Sequence, residues 1–466
     1  MINTFGKMKT NLALALGAQL VVLAVGVIKT FLVPHVMPVD DYAYWQQYVL
    51  YSGFVGIFAL GFNDGVYLIY GGNDYRDLPF NRLRGAFRFY CAMLFLFATA
   101  IGVYAALQDG LRGFGFYFVA FDAFVLCISG LMTYVLQITD QFKWFSVCTV
   151  VDKLVFLAIA AVLASQSVSD FYPYIIADAA SKVVALTLFV WRCREVVFGD
   201  VVCIRESWTE FSGDVKVGVN LMFANFAGML VANLGRFIVE WFGALDGYAY
   251  YSFGISVTNL ILTFVTAASS VLYPALKRLP SGNYGKYYAR IDRAIFFLAA
   301  IGLLVYFPAY LGVEMFYAKY APMLLYLNLL FVAAVYQAKL SLLVNTFYNA
   351  LRLERRLLMI NVQCVVCFCV IAFVSFSITH DVWWIAASTA ITAAVRCIMS
   401  EVELRRKLNI EGLISTFPLA LLVIAFFVTT YVLGFSSSVV TFVLCVIVIT
   451  VVYCIVFKQK EKGNSK

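Results

Sequence analysis

Apolar residues run along this chain in long windows separated by short polar breaks. Fourteen windows emerge, at about 10–37, 43–70, 87–108, 114–138, 144–165, 171–191, 216–242, 248–275, 291–313, 320–348, 357–379, 382–403, 412–434 and 437–457. An α-helix needs about 20 apolar residues to cross the hydrocarbon core. The pattern therefore predicts an all-α polytopic membrane protein with about 14 transmembrane helices. In 466 residues this leaves no room for a sizeable soluble domain. Composition agrees, with 63% hydrophobic and 13% charged residues, where a soluble domain carries about a quarter charged. The first window follows Lys7 and Lys9, as a signal peptide would. It runs past the roughly 7–15 residues of a signal-peptide core and has no small-residue cleavage signature, so it reads as a retained first span.

Charge sets the orientation. With the N-terminus inside, the inner segments hold Lys7 and Lys9, the Arg76–Arg88 loop, Lys143, the Arg192–Lys216 segment, the Lys277–Arg293 loop, "RLERR", "RRK" and the lysine-rich tail. Of 34 lysines and arginines, the outer loops keep only Arg112 and Lys319, and the spans hold Lys29, Lys153, Lys182, Arg236, Lys339 and Arg396. Cytoplasmic loops are basic and outer loops are not, and a miscounted helix would scramble every later loop. Both termini are thus expected inside.

The chain also repeats itself. "VIKTFLVPHVMPVDDYAYWQQY" returns as "LGRFIVEWFGALDGYAYYSF": an intramembrane cation, an outer turn with an aspartate, then Tyr-Ala-Tyr. Lys29 precedes Tyr42 by thirteen residues and Arg236 precedes Tyr248 by twelve. Six spans and a linker separate the copies, which predicts parallel repeats about an axis along the membrane normal, a common transporter plan. The expected organisation is an N-terminal six-helix lobe at 1–192, a basic cytoplasmic linker at 193–215, a second six-helix lobe at 216–404, and two added helices with a basic tail at 405–466.

These quoted segments, with the Gly-rich second window ending "LGFNDG", resemble the opening of Wzx-type lipid-linked oligosaccharide flippases. The fourteen-span, two-lobe plan also looks like their wider superfamily, which includes multidrug and toxic-compound extruders. The resemblance implies a bacterial inner-membrane flippase, not an enzyme. Its substrate would be a polyprenyl-diphosphate-linked oligosaccharide repeat unit, moved from the cytoplasmic to the periplasmic leaflet by alternating access. It implies membrane lipid, a polysaccharide polymerase and a chain-length regulator as partners, no nucleic acid, and no cofactor beyond a coupled H+ or Na+. One rival is a multidrug cation antiporter on the same fold; its substrates need an acidic cavity, whereas the deep charges here lean basic. A polysaccharide polymerase or ligase is a second rival, but those enzymes carry a long periplasmic loop that these short outer breaks do not allow.

Within that frame the intramembrane charges acquire roles. A cation at the centre of a span costs roughly 2.5–3.5 kcal/mol on insertion scales. In the family resembled, the helices of Lys29 and Arg236 line a central cavity, so these two and Lys339 are expected to bind an anionic headgroup. Arg396, just before a basic inner loop, is expected to snorkel. Asp178 and Lys182 stand four apart on one helix and are expected to pair structurally; Asp152 and Lys153 read as interfacial. Asp64 and Asp122 have no cation within a turn and are the ion-coupling candidates, since a lone buried carboxylate favours a proton or cation. Tyr42, Tyr44, Trp45, Tyr48, Tyr248, Tyr250 and Tyr251 are expected mostly in the interfacial belt. Ser52 and Gly56 suggest close helix packing.

Other chemistry is absent from the sequence. Cys364 and Cys367 lie within a span without further ligands, and His35 and His380 are not spaced as metal ligands. No phosphate-binding Walker loop, Ser-His-Asp order or zinc spacing occurs, which excludes ATP hydrolysis within the chain.

Overall fold

The computed structural model describes residues 2–277, 284–351, 353–408 and 416–463. Arg278, Arg352 and Lys466 of the basic inner segments lie outside them. The helices in order are α1 (Ile2–Val36), α2 (Val39–Phe54), α3 (Phe62–Tyr70), α4 (Phe80–Ala106), α5 (Gly110–Ile138), α6 (Phe142–Ser165), α7 (Phe171–Arg192), the short α8 (Arg194–Val197), α9 (Ile204–Phe242), α10 (Leu245–Lys277), α11 (Tyr284–Leu304), α12 (Tyr306–Phe316), α13 (Leu324–Lys339), α14 (Thr346–Ala350), α15 (Glu354–Thr379), α16 (Val382–Lys407), α17 (Thr416–Val432) and α18 (Phe435–Gly463). Among the described residues eleven helices are long and apolar enough to cross a membrane, or twelve with α2 and α3 taken as one bent span. All-helical architecture follows from the solvent: in hydrocarbon every backbone polar group must be satisfied within its own segment.

The chain divides into two compact units, 1–229 and 230–466. The stretch read as a linker, 193–215, is largely helical: α8 lies within it and α9 begins at Ile204. At 39 residues α9 is about 58 Å long, well beyond a hydrocarbon core of about 30 Å, so one end must project. The segment before it is tied to the start of α4: Arg84 Nε donates to the Glu195 carbonyl (2.8 Å) and the Tyr75 hydroxyl to Glu195 Oε2 (2.8 Å).

In the first unit the second span breaks. A 3-10 turn at Val55–Ala59 leads to Leu60 and Gly61, both left-handed (φ 48 and 84), and α3 departs at 57° from the line of α2. Glycine takes that conformation without a Cβ penalty. The break brings Gly61 and Gly65 against α9, where the backbones almost touch: a Cβ on Gly65 would overlap the Asp214 carbonyl, and one on Gly218 the Gly61 carbonyl. Close packing in this span is therefore at Gly61 and Gly65. It is not at Ser52 and Gly56, since Gly56 has nothing within 4 Å and Ser52 serves another purpose described below. Gly218→Ala is expected to cost about 1–3 kcal/mol through overpacking, read as a lowered unfolding midpoint of the purified protein; an unchanged midpoint would mean that the crossing opens without strain.

In the second unit the span at Ala318–Tyr348 is the most enclosed, with 83% of its central window buried. It contains α13, which packs against α10 and α16, and passes through a π-helical turn at Leu340–Asn345 into α14. Such turns are found mostly inside α-helices and frequently at functional sites.

The expected interfacial belt is corrected. Tyr42, Trp45, Tyr48 and Tyr248 are each 1% exposed and Tyr251 is fully buried. The Tyr-Ala-Tyr segments begin helices α2 and α10 and turn these rings into their bundles.

Candidate functional site

The first unit gathers four charges from three helices. On α7, Lys182 Nζ lies 2.6 Å from Asp178 Oδ2, one turn back, and 2.6 Å from Asp122 Oδ2 of α5. Lys29 of α1 meets the other oxygen of Asp178 at 3.1 Å. Two lysines and two carboxylates thus alternate, Lys29–Asp178–Lys182–Asp122, and their formal charges cancel. Hydroxyls from α2 complete the set. Tyr48 donates to Asp178 Oδ2 (2.8 Å) and accepts from Lys182 Nζ (2.9 Å), and Ser52 donates to Asp122 Oδ2 (2.6 Å). Tyr48 and Ser52 are four apart, so one face of α2 supplies both.

Exposure falls along the chain of charges. The Lys29 side chain is 31% exposed, Asp178 11%, Lys182 10% and Asp122 0%. Lys29 also lies over two aromatic rings, 4.8 Å from the Trp45 centroid and 4.2 Å from that of Phe156, a cation–π arrangement. Asp122 Oδ1 has no hydrogen-bond partner. A second pair adjoins: Asp152 accepts from Ser181 (3.0 Å) and pairs with Lys153 (2.6 Å).

Several expectations change here. Asp122 is not alone; its cation comes from another helix, out of reach of any reading of neighbours along the chain. Asp64 is 9% exposed in the first turn of α3, just past the break, where the helix dipole favours a carboxylate. Its side-chain neighbour is Tyr134, while Asn63 donates to the Cys127 carbonyl (3.0 Å); Asp64 does not join the four charges. Tyr48 and Ser52 were missed as polar partners. Their signal was available as an i, i+4 pair of hydroxyls on an apolar helix.

The second unit treats its cations differently. Lys339, expected to meet a ligand, is 1% exposed and held at 3.0 Å by both Asp292 of α11 and Glu401 of α16. Glu401 also pairs with Arg405 at 3.5 Å. Lys339 is thus held between two buried carboxylates. Asp292 and Glu401 lie near the inner ends of their windows, and the sequence pattern singles out neither. Arg236 is 6% exposed, with Tyr248 and Tyr251 as neighbours. Arg396 does not snorkel: it is 2% exposed. Cys364 is buried and Cys367 exposed on α15. Among the described residues no three His, Cys, Asp or Glu stand together as metal ligands.

No known family profile matches the chain, and no curated protein does. Its likeness is to solved structures. An inward-facing multidrug-resistance MATE family transporter of the MOP superfamily superposes with a TM-score of 0.61 at 13% identity, covering 84% of this chain and 98% of that one. The lipid II flippase MurJ, in an inward closed conformation, gives 0.62 at 9% identity, covering 97% and 99%. A MOP superfamily transporter from Pyrococcus furiosus, described as having a binding pocket of reversed polarity, gives 0.54 at 12% identity over 86% and 97%. All three are transporters rather than enzymes. This is a multi-pass membrane protein, and its fold is that of the MOP superfamily transporters.

Proposed function

We propose that this chain is a flippase for a polyprenyl-diphosphate-linked oligosaccharide, carrying it from the cytoplasmic to the periplasmic leaflet of a bacterial inner membrane. The observation that carries the reading is how Lys29 is held. It is the most exposed of the four linked charges, and its partner Asp178 keeps Lys182 at 2.6 Å and the Tyr48 hydroxyl at 2.8 Å. A diphosphate can therefore take Lys29 from Asp178 without stranding the carboxylate. The exchange swaps one charge-assisted contact for another, so the substrate need not meet the full cost of opening a buried pair. The resemblance to flippases in the first two spans and the likeness to MurJ over nearly the whole chain favour a lipid-linked substrate. Arg236 enters the proposal as the sequence counterpart of Lys29.

Transport without ATP is energetically reasonable. An anion leaving a negative interior gains roughly 2.3 kcal/mol per charge per 100 mV, about 4–5 kcal/mol for a doubly charged diphosphate. Drug extrusion on the same fold is the second reading, favoured by the acidic members of the network. Both of those carboxylates, however, already hold a lysine at 2.6 Å, which leaves little attraction for a cationic drug.

The test is deletion in a host that assembles surface polysaccharide on a lipid carrier. Complete repeat units should accumulate on the cytoplasmic face and return to normal with the wild-type gene. Lys29→Ala should abolish export with normal membrane insertion, and Lys29→Arg should restore part of it. Normally flipped units that fail to polymerise would overturn the reading in favour of a polymerase.

A further inference from the structure

Asp214 is a buried carboxylate, 1% exposed, at the closest point of the α3–α9 crossing. Among the described residues its Oδ2 has no hydrogen-bond partner and no cation pairs with it. Burying an unpaired charge is costly, and a carboxyl group escapes that cost by taking a proton. The charged neighbour that acts on it has the same sign. Glu210 stands one turn earlier on the same helix, where residues four apart share a face.

The two helices meet at three levels. Gly61 lies against Gly218 and Val219, Gly65 against the backbone of Asp214, and the Tyr70 hydroxyl donates to Glu210 Oε1. Positions rise along α3 as they fall along α9, so α3 runs antiparallel to α9 with Asp214 at the middle contact and Glu210 at the outermost. On α4, Gly85 meets Ser207 of α9 in the same way. The other charged groups on these elements are turned to different partners. Arg82 acts on Tyr70, Arg84 donates to the Glu195 and Asp200 carbonyls, Asp64 has Tyr134 as its side-chain neighbour, and Arg88 and Lys216 are exposed. Asp214 precedes the apolar window at 216–242, and burial, with the Glu210 charge second, pushes its carboxyl up to about 7.

We propose that Asp214 and Glu210 form a proton-binding clasp on the α3–α9 crossing: one proton on Asp214 holds the crossing shut, and its loss leaves two adjacent carboxylates that drive the helices apart. Glu210 is partly exposed and gives the proton its way in from water. Tyr70 already donates to Glu210, so the oxygen left for the proton to cover is on Asp214. The glycines make the response all-or-none, because backbones in contact leave no room for a charged side chain to be rehydrated in place. From this crossing α9 continues without a break to Arg236, so the clasp acts on the helix that carries that residue. The inference concerns the crossing itself and does not depend on what is transported.

Hydrogen–deuterium exchange of the purified full-length protein across neutral pH tests the clasp, with rates corrected for the intrinsic pH dependence of amide exchange. A carboxyl that binds its proton near pH 7 in the shut crossing, and in the ordinary range once solvated, links opening to proton release. The opening constant of peptides covering 61–70 and 207–219 should therefore climb by about tenfold per pH unit below that point and level off above it. Asp214→Asn cannot ionise and should hold one opening constant throughout. Glu210→Gln should keep the climb and end it at a lower pH, since the like charge is gone. Peptides from the middle of α5 should show no climb. A flat wild type, a wild-type climb in Asp214→Asn, or an equal climb in α5 would overturn the proposal. So would a climb lost in Asp64→Asn and kept in Asp214→Asn, which would put the proton on Asp64. If Asp214→Asn does not fold, a Glu210→Gln protein that levels off at the wild-type pH overturns the clasp by itself.

Discussion

Lys182→Met is expected to destabilise the protein by about 3–5 kcal/mol, the range for breaking a buried ion pair from one side. Lys182 stands between Asp122 and Asp178 at 2.6 Å from each. Without it, Asp178 keeps Lys29 and Tyr48, whereas among the described residues Asp122 keeps neutral hydroxyls, Ser52 at 2.6 Å and the neighbouring Tyr48. A fully buried carboxylate would then face neutral donors and no cation. The double variant Lys182→Met with Asp122→Asn should recover much of the loss, since it removes the stranded charge along with its partner. Unfolding of the purified variants in one detergent gives both numbers. A double variant no more stable than Lys182→Met alone would show that packing around the lysine stem, rather than charge, is what the site needs.

Lys339→Met should be of similar size, about 3–5 kcal/mol, for a related reason. Asp292 and Glu401 face one another across Lys339, each 3.0 Å from its ammonium. Removing it leaves two buried carboxylates with Arg405 beside Glu401 at 3.5 Å. Adding Asp292→Asn should restore stability more than adding Glu401→Gln, because Glu401 retains Arg405. The contrast between the two double variants is the decisive measurement. A Lys339→Met protein as stable as wild type, with export lost, would instead return Lys339 to the ligand-binding role that the sequence suggested.

How far the sequence could be read depends on what each feature requires. Helical spans were legible because hydrophobic length alone decides them, and over the described residues each of the windows is occupied by a helix or by consecutive helices. The break at Leu60–Gly61 carried a signal, the glycines of "LGFNDG", although their purpose as a backbone crossing with Asp214 and Gly218 required the fold. The tyrosines at the outer turns misled, since an amphipathic ring suits the interface and a hydrogen-bonded interior equally well. Tyr48 took the interior because two charges there needed a hydroxyl.

The sequence by itself determined that this chain lives in a membrane, that its helices carry charges at depth, and that Lys29 and Arg236 occupy matching places before a Tyr-Ala-Tyr turn. Those are properties of length, composition and order. Only the tertiary structure decided which charges cancel: Lys29 and Lys182 share Asp178, Asp122 belongs to Lys182, Asp292 and Glu401 close around Lys339, and among the described residues Arg396 has no carboxylate beside it. The reason is physical. In a low-dielectric interior an ion pair is made across helices far apart in sequence, from Lys29 to Asp178 for instance, and its energy depends on distances of a few ångströms that spacing along a single helix cannot supply.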